Sequence, residues 1–401
     1  MSAQAELTPQ EEAQLRRDWR TFTTLVFLFA FGFSVYMGVF QNFLRDQLHA
    51  DELDLGMLES IREVPGLLAA LLAGTVYALA ESRVAGLGML ITGIGIGLTG
   101  VFHRYTPVVL ITVFWSIGYH LWATVQSAIT LSLAKGKEGG RHLGRMSGIA
   151  ALATISALGS SWAVSRLFPA AAKAGTLYPI YFAASGVLIC TAAVLCMRLS
   201  TQADGAKRQP FIFRREYGLY YLLAFLEGCR RQIFAIFASF ALIIVYHQPV
   251  ENMLLLQFIN SIMIAFTAPR IGRIVDRVGE RRPLTFYAIG LIVVFLGYAT
   301  WQNVWALYAL FLIDNVLFSF GVGFTTYLHR IVRTGELTPC LAMGTTMNHI
   351  AAVTVPVGGA LLWKSTGNYQ VPFWVGVAIA AIALVATRWL PKGPRQIAAR
   401  P

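Results

Sequence analysis

Seven ionisable residues stand in otherwise oily stretches of the chain, and two groups of them repeat the same spacing. Glu59, Arg62 and Glu63 follow i, i+3, i+4; so do Glu227, Arg230 and Arg231; Asp314 sits alone in an apolar run. On a helix that spacing gathers three side chains on one face. Arginine stays protonated, so four acids against three arginines leave one surplus carboxylate, the group most easily neutralised by a proton. Proton uptake and charge recognition are the chemistries on offer.

What surrounds these groups gives them their meaning. The 401 residues are 56% hydrophobic and only 13% charged, with a mean hydropathy of +0.60. A soluble domain needs about 25% charge to cover its surface, so this surface faces lipid. Crossing a ~30 Å hydrocarbon core takes roughly 20 apolar residues in a helix. Twelve such runs are readable: 21–44, 55–79, 84–102, 107–131, 143–167, 177–197, 217–244, 252–271, 284–301, 304–328, 339–363 and 371–390. The expected fold is an all-α polytopic membrane protein with twelve transmembrane helices. A polar linker, 198–216, divides it into six-helix bundles 21–197 and 217–390, with tails 1–20 and 391–401. Each charge at bilayer depth costs on the order of 3 kcal/mol, which points to a wet interior and to use.

The formal charge of +12 raises the question of nucleic acid, and its distribution answers no. Of 32 Lys and Arg residues, 24 fall in alternate loops and both tails, 5 in the opposite loops and 3 inside spans. Lys and Arg concentrate on the cytoplasmic side of membrane proteins, so both termini are expected there, in the plasma membrane. Thr8-Pro9-Gln10-Glu11 reads as a helix start, predicting a short cytoplasmic helix ahead of the first span. Cys190, Cys196, Cys229 and Cys340 form no CxxC pair, so neither metal nor redox chemistry is expected.

Between the eighth and ninth spans the sequence reads Gly272-Arg273-Ile274-Val275-Asp276-Arg277-Val278-Gly279-Glu280-Arg281-Arg282. Gly272 permits close helix approach, Gly279 a tight turn, and Asp276 can accept hydrogen bonds from Arg277 or a helix start. The segment resembles the G-x-x-x-D-R-x-G-R-R loop signature of the major facilitator superfamily. The resemblance implies two pseudo-symmetric six-helix bundles and a loop in which Asp276, with Arg277, Arg281 and Arg282, latches one conformational state. The first-half copy departs from the pattern: after Gly74 the acid position is Ala78. The fifth span lacks the Gly-Pro element of drug–proton antiporters, and Pro356-Val357-Gly358-Gly359 is a partial echo in the eleventh.

In that family the first, fourth, seventh and tenth spans line the central cavity, so the resemblance places Arg230, Arg231 and Asp314 there. Asp314 has no basic neighbour within a turn of its own helix and is the first candidate for proton coupling, Glu63 the second. Glu59, Arg62 and Glu227 complete the coupling or gating set. Arg230 and Arg231 could present positive charge to an anionic solute; alternatively the two clusters brace the halves and touch no substrate. His120, Gln126, Gln257, Asn260 and Asn348, neutral polar groups at similar depth, extend the candidate substrate-binding set beside Arg230 and Arg231, with Trp122 and His349 next to them in sequence or on the same span. Gly95-x-Gly97-x-x-Gly100 matches a dinucleotide fingerprint only as text, since no strand precedes it; Gly93 and Gly97 suit close helix packing instead.

The expected function is secondary active transport of a small polar, anionic organic solute by alternating access, coupled to protons. The chain is expected to be a monomer in a lipid bilayer, with no cofactor, no metal and no enzymatic activity. Export of amphipathic or drug-like compounds is the second transport reading. A non-transporting receptor or assembly factor on the same scaffold is the reading from another class.

Overall fold

The computed structural model describes residues 8–72, 81–134, 139–200, 213–333 and 336–393, and its regular structure is entirely helical. Helix α1 (Pro9–Leu48) opens on a capping box. The Thr8 backbone N–H and hydroxyl donate to the Glu11 carboxylate at 2.8 and 2.9 Å, and the Glu11 N–H returns to the Thr8 hydroxyl at 3.3 Å. The short helix expected ahead of the first span is not separate. One helix runs 40 residues, because no glycine or proline interrupts Glu11 to Phe31.

The spans that follow are α2 (Glu52–Leu72), α3 (Glu81–Leu98), α4 (Tyr105–Leu133), α5 (Gly139–Leu167) and α6 (Leu177–Met197). Helix α7 runs Gly218–Gln232, widens into a π turn over Ile233–Ala238, and finishes as Ser239–Ile244. Then come α8 (Val250–Val278), α9 (Arg281–Thr300) and α10, which is Val304–Phe318 carried through a 3₁₀ turn into Val322–Ile331. Last are α11 (Leu337–Thr366) and α12 (Val371–Ala386). Ten of these are apolar enough by composition to cross a membrane. The other two, α2 and α7, are long enough but carry the charged triplets. All twelve runs read from the sequence are therefore helices among the described residues.

Two compact units emerge, 1–39 with 75–207 and 40–74 with 208–401. In the first, α3 lies between α4 and α6. A Cβ on Gly186 of α6 would stand 2.6 Å from the Gly97 Cα and 2.7 Å from the Gly93 carbonyl oxygen, so small residues let the two backbones touch. Trp115 and Trp122 are buried here. The Trp115 indole N–H donates to the Tyr36 hydroxyl at 3.2 Å, and Phe33 stacks on Tyr119.

In the second unit α11 lies against both α2 and α7, and α9 against α10 and α12. Proline inside a helix opens the turn around it; beside Pro356 of α11, the Val357 N–H donates to the Ser60 hydroxyl of α2 at 3.0 Å. A Cβ on Gly359 would fall 2.4 Å from the Phe237 ring. The Pro356–Gly359 element thus seats one helix on each side. At the end of the unit holding the N-terminus of α11, the Tyr217 hydroxyl and Arg214 guanidinium donate to Glu336 at 2.6 and 2.7 Å. Arg333 pairs with Glu216 at 2.6 Å.

Candidate functional site

One turn of α7 separates Glu227 from Arg230, close enough for the guanidinium to fold back on the carboxylate. Arg230 Nη2 and Nε lie 2.9 and 3.2 Å from Glu227 Oε1. The remaining nitrogen, Nη1, reaches across to Asp314 Oδ2 of α10 at 3.0 Å. Tyr287 of α9 donates its hydroxyl to Glu227 Oε2. The guanidinium carbon lies 5.5 Å from the Tyr287 ring centroid and 5.0 Å from that of Phe318, a distance that adds cation–π attraction. Arg230 is 2% exposed and Asp314 1%. Three helices are thereby joined through one guanidinium.

Two carboxylates share that single cation, so the cluster carries one surplus negative charge when both are ionised. Asp314 Oδ1 is buried and has no hydrogen-bond partner among the described residues. A buried acceptor without a donor is costly, and a proton is the smallest species that satisfies it.

The second cluster sits on α2. Arg62 Nη2 holds Glu59 Oε2 at 2.6 Å and Glu63 Oε1 at 3.1 Å, and His349 Nδ1 of α11 lies 3.3 Å from Glu63 Oε2. In each triplet the i, i+3 pair forms, Glu59 with Arg62 and Glu227 with Arg230. Arg231 does not join Arg230: it is exposed, with its guanidinium 5.6 Å from the Phe318 centroid.

The neutral polar residues occur in both units. His120 and Gln126 lie in the first unit, where His120 Nδ1 is 2.9 Å from the Ser116 carbonyl and Gln126 is half-buried. Gln257 and Asn260 lie on α8; Asn260 is buried with Oδ1 unsatisfied among the described residues. The Asn348 amide donates to the Gly344 carbonyl of its own helix at 3.1 Å.

In the signature loop Gly279 ends α8 with φ +79°, a left-handed value that favours glycine; Gly272, expected to permit close helix approach, instead has open space around it. Asp276, Arg277 and Arg282 are exposed. The buried acid of this loop is Glu280, paired with Arg330 of α10 at 3.1 Å; Arg330 also donates to the Gly393 carbonyl. The first-half counterpart around Gly74 and Ala78 lies outside the described residues.

Sequence reasoning passed over Tyr287, Phe318, Glu280 and Arg330. Glu280 had a signal, as an acid set among arginines next to the turn glycine. Tyr287 and Phe318 had none, because aromatic residues are spread over most spans.

A family model described as Major Facilitator Superfamily matches residues 22–337. No curated protein matches the chain in sequence. Among solved structures, a nucleoside transporter, NupG, superposes with a TM-score of 0.73 at 13% identity, covering 92% of this chain and 97% of that one. A bacterial homologue of the iron transporter ferroportin in an inward-facing state gives 0.72 at 16%, with coverages of 92% and 98%. A D-xylose–proton symporter gives 0.72 at 14%, with coverages of 93% and 97%. At such identities the likeness is one of fold.

Proposed function

The chain belongs to the Major Facilitator Superfamily, and from that premise we propose that it is a secondary active transporter of a small polar organic solute, driven by protons through alternating access. The observation that carries this reading is the Glu227–Arg230–Asp314 cluster, with its surplus charge and unsatisfied Asp314 Oδ1. A proton on Asp314 neutralises the cluster and weakens the tie between α7 and α10. Protonation is thereby linked to helix movement, which is what coupling requires.

Arg230 engages an anionic solute only after Asp314 has released it, so the anion reading takes an ordered form: proton first, solute second. The exposed Arg231 is the second cation available to it. A neutral polar solute is the rival reading, favoured by the saturation of Arg230 by its two acids. Substituting Arg231→Gln separates them, since unchanged binding of organic anions removes the second cation from the argument.

The chain is placed in the plasma membrane as a monomer, with both tails on the cytoplasmic side and the division at 198–216 marking two six-helix repeats. The test is solute accumulation in proteoliposomes under an imposed pH gradient. Asp314→Asn is expected to abolish gradient-driven accumulation while solute exchange at equal pH persists. Intact accumulation would strip Asp314 of the coupling role and pass it to Glu63.

A further inference from the structure

Where α8 ends and α9 begins, the second unit holds a cavity of about 710 Å³, with Arg277, Arg281, Arg282 and Lys392 among its lining residues. None of these four cations makes an ion pair among the described residues, and the neighbouring buried acid, Glu280, is already held by Arg330. Four like charges gathered without a counter-ion repel one another. The arrangement calls for an anion.

The same cavity is also lined by Phe286 and Ile289. Arg282, Phe286 and Ile289 stand at i, i+4 and i+7 on α9, and Val293 continues the stripe one turn on. Phe286, Ile289 and Val293 are 61%, 48% and 57% exposed, an oily rail leading away from the basic end of a membrane-spanning helix. A soluble anion would have no use for that rail, and the volume is in the range of small-molecule sites.

We propose that this cavity binds the phosphate ester of an anionic membrane lipid, its headgroup among Arg277, Arg281, Arg282 and Lys392 and its acyl chain along Phe286, Ile289 and Val293. Basic pockets at helix ends on the cytoplasmic side hold such headgroups by the same electrostatics. The site brings together residues from the ends of α8 and α9 and the segment after α12. It requires only that the chain spans a membrane, so it stands or falls independently of solute and coupling ion.

Native mass spectrometry of the purified full chain, offered phosphatidylglycerol and phosphatidylcholine, tests it. Wild type is expected to retain phosphatidylglycerol preferentially. Arg281→Gln with Arg282→Gln should lower that retention about 30-fold, equivalent to ~2 kcal/mol for two cations near a lipid surface. Arg145→Gln with Arg198→Gln, which removes the same charge elsewhere, should leave retention intact. Phe286→Ala should weaken it with no change in charge. Inorganic phosphate should not displace the lipid. Equal loss in the two charge-matched double variants, no preference for phosphatidylglycerol, or displacement by inorganic phosphate alone would each overturn the proposal.

Discussion

The second unit contains two clusters of the same formula, two carboxylates on one arginine, built to different plans. Around Arg230 the partners come from three helices, and the paired Arg230 and Asp314 side chains are 3% and 2% exposed. Around Arg62 both acids lie on α2 itself, and α11 adds His349; the Glu59 side chain is 4% exposed, and those of Arg62, Glu63 and His349 are 13%, 17% and 18% exposed. Equal spacing in sequence therefore yields unequal duties. What decides is whether the guanidinium reaches an acid on a neighbouring helix, as Arg230 does with Asp314. The first arrangement is a brace between helices, while the second is a local group, wetter at Arg62 and Glu63, with a histidine beside it.

The largest expected effect breaks the brace. Arg230→Met leaves two buried carboxylates facing each other, a loss of about 3–5 kcal/mol in thermal unfolding of the detergent-solubilised protein. Adding Glu227→Gln and Asp314→Asn should recover most of it. Arg62→Met should cost less, about 1–3 kcal/mol, because Glu63 keeps access to water although Glu59 is buried. If the two single substitutions destabilise equally, the distinction between brace and local group is lost. Smaller again, Ser60→Ala removes the hydrogen bond from Val357 and should cost about 1 kcal/mol, loosening α2 against α11 while leaving α7 untouched.

The smallest effect lies at the end of the unit. The Glu336 carboxyl is held below its ordinary range, first by the Tyr217 hydroxyl and then by Arg214. A depressed carboxylate contributes its stabilisation above the unfolded value and loses it as pH falls through the folded one. Hydrogen exchange over 213–217 should therefore distinguish wild type from Glu336→Gln near neutrality. The difference should vanish below the glutamate range. A difference that persists there would detach the effect from this carboxylate.

The helices and the local ion pairs were legible from the chain alone. Roughly twenty apolar residues fix a span, basic loops fix its neighbours, and i, i+3 spacing pairs Glu59 with Arg62 and Glu227 with Arg230. Partner choice across helices was not legible. Nothing in the string tells Arg230 from Arg231, yet one is buried on Asp314 and the other exposed. Likewise Glu280, rather than Asp276, is the buried acid of the α8–α9 turn, because burial there depends on where Arg330 of α10 comes to lie. The long reach of α1 was half visible: its cap could be read, but its continuity shows only in what is missing between Glu11 and Phe31.

The widened turn Ile233–Ala238 follows Arg230 by three residues. A π turn takes in one residue more than an α turn over the same rise, so it stores a spare residue in the middle of the rod. Passing that residue along would rotate the Ser239–Ile244 end of α7 by about 100° while Gly218–Gln232 stayed seated against α11. The part bearing Arg230 can thus keep its place while the far end of the rod turns like a key on a swivel.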